Sequence, residues 1–346
     1  MQQLFNKKAL IDAAITTHLD QELINFQQQQ LAKPLFSLLK VFVVKGKTVR
    51  GGLFLSYLEA ANPQFYLEKQ SELLKIAAAL EIIHAGILAH DDVIDQDEQR
   101  RGSNSVWQEY RLQAEAANYH DPINYGKNQA ICVGSICQYL ANQLIEQTTI
   151  GKLINQEITK TYLAEMLDSQ ITANPEIPSI ETVLELYQFK TARYTFGLPL
   201  KLAATILQTS TKDTHVLEQI SNAIGLIFQI QDDLIGLLEN SEKSGKPLLS
   251  DIREGKKTIV YLQLLRNCDE AETTLLHTHF GKQQQINQED GKALQNLIHS
   301  KALPDIKIRL QTLANETKEL INSLDDEGAT KNLLQDLLHF NLSRDY

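Results

Sequence analysis

The stretch LEIIHAGILAHDDVIDQDEQRRG, residues 80–102, decides the fold and announces the chemistry together. Leu80, Ile83, Ile87 and Ile94 continue a series begun at Leu73 and Ile76. The steps of three, four and seven keep one apolar face along a helix. That stripe runs into carboxylates. Asp91 and Asp95 stand at i and i+4, and Asp92 and Asp95 at i and i+3, so they project from neighbouring faces of one turn. Like charges packed this closely repel, and a hard divalent cation is the usual remedy. Mg²⁺ takes few protein carboxylates and completes its shell with water and substrate phosphates. For DDVID alone, a solvated acidic patch is the competing reading.

A second stretch, GLIFQIQDDLIG at 225–236, tips the balance. Leu217, Ile220, Ile224, Ile227, Ile235 and Leu238 form another apolar helical face, and Gln229, Asp232 and Asp233 fall within one of its turns. If the two helices pack by their apolar faces, two acidic clusters can oppose each other across a cavity. Opposed carboxylates holding several metals suit a polyanion such as a diphosphate leaving group.

Basic residues stand where phosphates would need them. Arg100 and Arg101 follow the first cluster, Lys45, Lys47 and Arg50 lie in KGKTVRGG, and Lys246, Lys256 and Lys257 in SGKPLLSDIREGKKT. Singly, each reads as a solvated surface charge. As a set flanking both clusters, with glycines that admit close phosphate approach, they read as anion contacts. KGKTVRGG lacks the GxxxxGK[ST] spacing of a Walker A loop. His84 and His90 are six apart and do not share a face as an HExxH zinc pair does; His84 fits a diphosphate contact and His90 a packed or capping role.

Composition agrees with long helices. The 346 residues include only 16 glycines and 8 prolines, too few turn residues for a sandwich of many short strands. Length alone allows two domains. About ten helical segments without a Pro/Ser-rich linker favour one all-α domain over 1–346. The net charge of −10 argues against nucleic acid and against adhesion to anionic membrane surfaces. No uncharged apolar run approaches the roughly 18 residues of a membrane span, and no signal-like h-region is visible, so a cytoplasmic protein is expected. Cys132, Cys137 and Cys268 form no CxxC pair and are expected as buried small hydrophobes.

GKTVR, DDVID with its following RRG, KTA at 190–192, FQIQDD and GKPLLSDIREGKKT occur in this order. Together they resemble the trans-isoprenyl diphosphate synthases (polyprenyl synthetases), within them the geranylgeranyl diphosphate synthase-like group. The resemblance runs from about 45 to 265, with a fainter echo in LLQDLLHFNLSRDY at the end. It implies a single large antiparallel helical bundle around a deep central cavity, a homodimer, and head-to-tail condensation of an allylic diphosphate with isopentenyl diphosphate. By residue-wise match, Asp91, Asp95 and Asp232 look like direct ligands of Mg²⁺, three ions per site in the family, with Asp92 and Asp233 supporting them. Arg100, Lys190 and Lys256 would hold the allylic diphosphate, and Gln229 and Thr191 would line the ionising carbon. Lys47, Arg50, His84 and Arg101 look like the isopentenyl diphosphate site, and Lys246 like part of the metal–diphosphate face.

The chain also departs from the family pattern. Gly236 replaces a third aspartate, Gly51 the usual proline after the GKxxR arginine, Glu165 the Gln before LD, and Gly134-Ser135 a GD pair; residues 108–125 look inserted. Gly86 and Ile87, five and four before Asp91, lie about one turn, roughly 5.4 Å, below the metal cluster. An aromatic there would close the pocket, and Gly86 leaves it open, so a product of twenty carbons or more is expected. The competing functions are a silent partner subunit of a heteromeric synthase and a terpene cyclase. Survival of both aspartate clusters argues against the first, and the RRG, GKTVR and GKK segments, which provide for a second diphosphate, against the other.

Overall fold

The structure, a computed structural model, describes residues 6–238, 249–282, 286–325 and 328–343. The all-α expectation holds: among the described residues the only strands are the two-residue pair Gln99–Arg100 and Ser103–Asn104. The chain falls into two compact units, Met1–Ile154 with Thr205–Leu207, and Asn155–Ala204 with Gln208–Tyr346.

The first unit is built around the helix Pro63–Ile94. Its start is set by Pro63 at the first helical position and by Asn62, whose side chain accepts the Phe65 N–H at 3.0 Å. Leu73, Ile76, Leu80 and Ile83 are buried, as the periodicity requires. The helix closes beyond Ile94, where Gln96 adopts a left-handed φ of 58° and the Asp97 N–H reaches the Asp92 carbonyl at 2.9 Å. Its most apolar stretch has a mean hydropathy of 1.6, enough by length and composition to cross a membrane, yet 67% of that stretch is buried within the protein. It is a core helix. It meets the helix Pro122–Gln143 so closely that a Cβ on Gly86 would stand 2.8 Å from the Gly134 carbonyl oxygen and from the Cys137 Cβ.

The second unit is organised by the helix Thr211–Leu238, whose Leu217, Ile220, Ile224, Ile227 and Leu234 are buried. Against it lies Gln188–Gly197, a π-helical run between the helices Ile180–Tyr187 and Leu198–Ile206. The contact requires Gly225, because a Cβ there would fall 2.2 Å from that of Ala192. Proline usually breaks a helix, yet Pro199 and Pro304 each sit in the first turn of an α-helix that continues a π segment. A widened turn has already abandoned the i→i−4 bond that a proline would remove, so the chain stays helical.

Two expectations change here. Only Cys137 is buried; Cys132 is exposed and Cys268 half-buried. Lys257, grouped in the sequence with the phosphate-facing lysines, is instead buried, and its ammonium donates to the carbonyls of Ile171, Asn174 and Glu176 at the end of the helix Thr148–Ala173. Lys257→Met keeps the apolar stem and leaves those carbonyls without their cation. Chemical denaturation should show a loss of about 2–4 kcal/mol, and a change within about 0.5 kcal/mol would refute the capping role.

Candidate active site

In the first unit, the ribbon after DDVID turns at Arg101 and Gly102, with φ of 54° and 68°, the left-handed pair of a tight hairpin turn. This turn sends the two arginines to different partners. The Arg100 Nε donates to Asp92 Oδ1 at 2.6 Å, and its Nη2 pairs with Asp91 at 3.3 Å and Asp97 at 3.1 Å. Asp91 is half-buried, whereas Asp92 is fully enclosed and its Oδ2 makes no hydrogen bond. Burial pushes Asp92 up to about 7 despite the pull of Arg100. Asp95 caps the helix, its N–H on the Asp91 carbonyl at 2.8 Å.

Arg101 lies over Gly46, where a Cβ would meet its guanidinium at 2.9 Å, and its Nη2 donates to His84 Nε2 at 3.2 Å. Desolvation, then the charges of Arg50, Arg101 and Arg100, hold His84 well below the ordinary value of 6.5. Its ring is neutral and able to accept. Arg50 is buried at the start of the helix Val49–Ala61, after Thr48, which takes a left-handed φ of 49°. Lys47 is exposed in the same loop, and Lys45 donates to Ser103 Oγ, tying the loop to the ribbon. An amphipathic cleft of about 620 Å³ opens beside Lys45, Arg100 and Arg101, its other wall formed by Leu38, Val41 and Phe42.

The second unit repeats the division of labour. Asp232 is half-buried, while Asp233 is buried and receives the Tyr187 hydroxyl and the Gln229 amide, the latter at 3.0 Å. Gln229 in turn accepts from the Thr191 hydroxyl at 2.7 Å, and the Tyr187 oxygen accepts the Ile259 N–H at 3.0 Å. Burial, then the Asp251 carboxylate, hold Asp233 well above the usual carboxylate range. The π-helical run thus brings Thr191 to Gln229, two residues matched separately in the sequence. Lys190, beside Thr191, pairs with Glu165 at 2.8 Å and Asp168 at 2.5 Å, so the departure at Glu165 gives it a second carboxylate. Lys256 pairs with Glu254 at 3.1 Å. Lys246 lies outside the described residues.

The donor chemistry suits Mg²⁺: hard carboxylate oxygens, one of them buried at Asp92 without a hydrogen bond. Among the described residues no group of three or more His, Cys, Asp or Glu side chains could hold a metal unaided.

One expectation is corrected. Gly86 is no open pocket wall, because the space beside its Cα is filled by Gly134 and Cys137. An aromatic there would have to push the two helices away from each other. Ile87 is half-exposed. His90 packs over Gly134, where a Cβ would lie 2.3 Å from its Nε2, and that nitrogen hydrogen-bonds to the Ile131 carbonyl at 3.0 Å, so the packed role holds.

Four residues escaped the sequence reading: Glu81, Tyr187, Asp168 and Asp251. Glu81 alone left a trace, as a charge inside the apolar run 76–83. The others act through partners distant in sequence.

A model of the polyprenyl synthetase family matches residues 29–298. The short chain isoprenyl diphosphate synthase of Methanocaldococcus jannaschii is 27% identical over 305 residues, covering 86% of each chain. The chloroplastic solanesyl diphosphate synthase 2 of Arabidopsis thaliana is 27% identical over 315 residues, covering 88% of this chain and 69% of that protein. Among solved structures, a geranylgeranyl pyrophosphate synthase from Corynebacterium glutamicum, complexed with isoprenyl diphosphate and magnesium, superposes with a TM-score of 0.89 at 25% identity over 99% of both chains.

The neutral His84 has a measurable signature. Its folded pKa is depressed, so its contribution to stability is present above about 6.5, the unfolded value, and is lost as pH falls. The unfolding free energy of His84→Gln should therefore decline less between pH 7 and pH 5 than that of the wild type. Parallel pH profiles would refute the assignment.

Proposed function

The chain belongs to the polyprenyl synthetase family and is a trans-prenyltransferase, and from that premise we propose that it condenses isopentenyl diphosphate with an allylic diphosphate to give geranylgeranyl diphosphate. The observation that carries this reading is the repeated carboxylate pair. In both units one aspartate is buried and tied to protein donors while its neighbour, Asp91 or Asp232, stays half-buried beside it. In the first unit Arg100 bridges the pair, holding Asp91 in the direction a cation ligand requires.

Asp91, Asp95 and Asp232 are the proposed Mg²⁺ ligands, with Asp92 and Asp233 supporting them. Bound there, Mg²⁺ would neutralise the charge of a departing diphosphate. Arg100, Lys190 and Lys256 bind the allylic diphosphate and orient its C–O bond. That bond breaks with both electrons leaving on oxygen. The Thr191–Gln229 pair presents oxygen dipoles to the allylic cation. Arg50, His84, Arg101 and the exposed Lys47 hold the second diphosphate, so that its double bond forms the new C–C bond. The leaving diphosphate takes the proton lost from the isopentenyl unit.

The decisive assay incubates the protein with Mg²⁺, isopentenyl diphosphate and dimethylallyl, geranyl or farnesyl diphosphate, and identifies products by mass spectrometry. Elongation to twenty carbons is expected, and no elongation from any primer would overturn the proposal. Asp91→Ala and Asp232→Ala should each lower kcat by about 10³-fold or more. Ile87→Phe, at the half-exposed position that replaces Gly86 as the chain-length candidate, should shorten the product.

We further propose that the active form is a homodimer. Ile131 and Tyr139, 47% and 73% exposed, leave apolar side chains on the open side of the helix Pro122–Gln143, suited to a second copy. Tyr139→Glu should shift the protein toward monomer in light scattering, whereas a monomeric wild type would refute the dimer.

A further inference from the structure

Resting on the reading of Arg50, His84 and Arg101 as the isopentenyl diphosphate half-site, we infer that Glu81 is its positioning residue, the group that locks the 46–52 loop and Arg50 to the helix bearing His84. Glu81 is 4% exposed, set among Ala77, Ala78, Ala79, Leu80, Ile82 and Ile83, all more deeply buried still. A carboxylate in such surroundings is costly unless it is fully engaged. Here it accepts the Gly51 N–H at 2.7 Å and the Arg50 N–H as well.

Both donors belong to the first turn of the helix Val49–Ala61, where N–H groups have no acceptor within the helix. A negative charge at that end also complements the helix dipole. Glu81 precedes His84 by one turn of the helix Pro63–Ile94. One turn therefore carries both the carboxylate that receives the loop backbone and the imidazole that receives Arg101. Burial raises the Glu81 carboxyl above its ordinary value, and the charges of Arg50 and Arg101 pull against that rise, so the two cations face it.

The departure at residue 51 gains a physical reason. The proline usual in the family at that position has no N–H to give. Gly51 has one, and uses it on Glu81. A glycine is needed for a second reason, since a Cβ at 51 would stand 2.9 Å from the Ala77 carbonyl oxygen. The loop thus gives Glu81 a hydrogen bond that a proline at 51 could not.

The test compares Glu81→Ala and Glu81→Gln with the wild type in steady-state kinetics for each substrate and in amide hydrogen exchange. Glu81→Ala should raise KM for isopentenyl diphosphate about tenfold and leave KM for the allylic diphosphate within about twofold. Glu81→Gln, whose amide oxygen can still accept the Gly51 N–H, should recover most of that loss. Exchange at residues 48–52 should accelerate in Glu81→Ala and return toward wild type in Glu81→Gln. Equal rises in both KM values, no rescue by Gln, or unchanged exchange would overturn the inference. The exchange measurement holds whatever the substrate is, so it separates this claim from the assignment of the half-site. That assignment is checked by Arg50→Ala, which should raise the same KM and fails if it does not. Should Glu81→Ala not fold, Glu81→Asp keeps the charge but withdraws it by one methylene, and the same faster exchange is expected; unchanged exchange would again overturn it.

Discussion

A carboxylate that is buried next to one that is not is the constraint on which both halves of this protein turn. Burial disfavours the charged form, so each enclosed aspartate demands donors from elsewhere in its unit. Asp92 takes Arg100, and to deliver that arginine the chain must fold back through a left-handed turn immediately after the acidic helix. Asp233 takes Tyr187 and Gln229, and reaching them requires the π-helical run to lie against the helix at Gly225. The ribbon and the widened helix look like local irregularities. Each brings donors to a buried carboxylate.

Much of this was legible in the sequence because it follows from periodicity. Apolar residues at helical spacing marked the two long helices, and the aspartates at their ends could be placed on a face before any contact was known. What escaped depends on partners far along the chain. Gly86 read as an opening because nothing nearby announces that Gly134 and Cys137 fill the space beside it. Lys257 read as an anion contact because a run of lysines beside glycine looks alike whether its ammonium meets phosphate or three carbonyls. The helical setting of Pro199 and Pro304 leaves no local signal, because the rule that excludes proline from helices assumes the hydrogen bonding of an α-helix.

The overall charge of −10 says little about what the protein can bind. Acids and bases are sorted locally: Arg100 among three aspartates, Lys190 between Glu165 and Asp168, Arg50 and Arg101 with Glu81 beneath them. Cations held in this way are already oriented and partly stripped of water, so little reorganisation remains when an anion arrives. Net charge governs approach over distances beyond about 8–10 Å, where salt screens it, whereas these arrangements act at contact.

The neighbouring lysines 256 and 257 have opposite fates, and that has a mechanical side. With its ammonium clamped on the carbonyls of Ile171, Asn174 and Glu176, Lys257 nails the backbone at that point to the end of a long helix. Lys256 is then an arm on a fixed bracket. Its reach is one side chain in length, swept about a pivot that cannot drift, so the positions its charge can occupy form a shell and not a volume. A lysine on an unanchored loop would have to be caught; this one needs only to rotate.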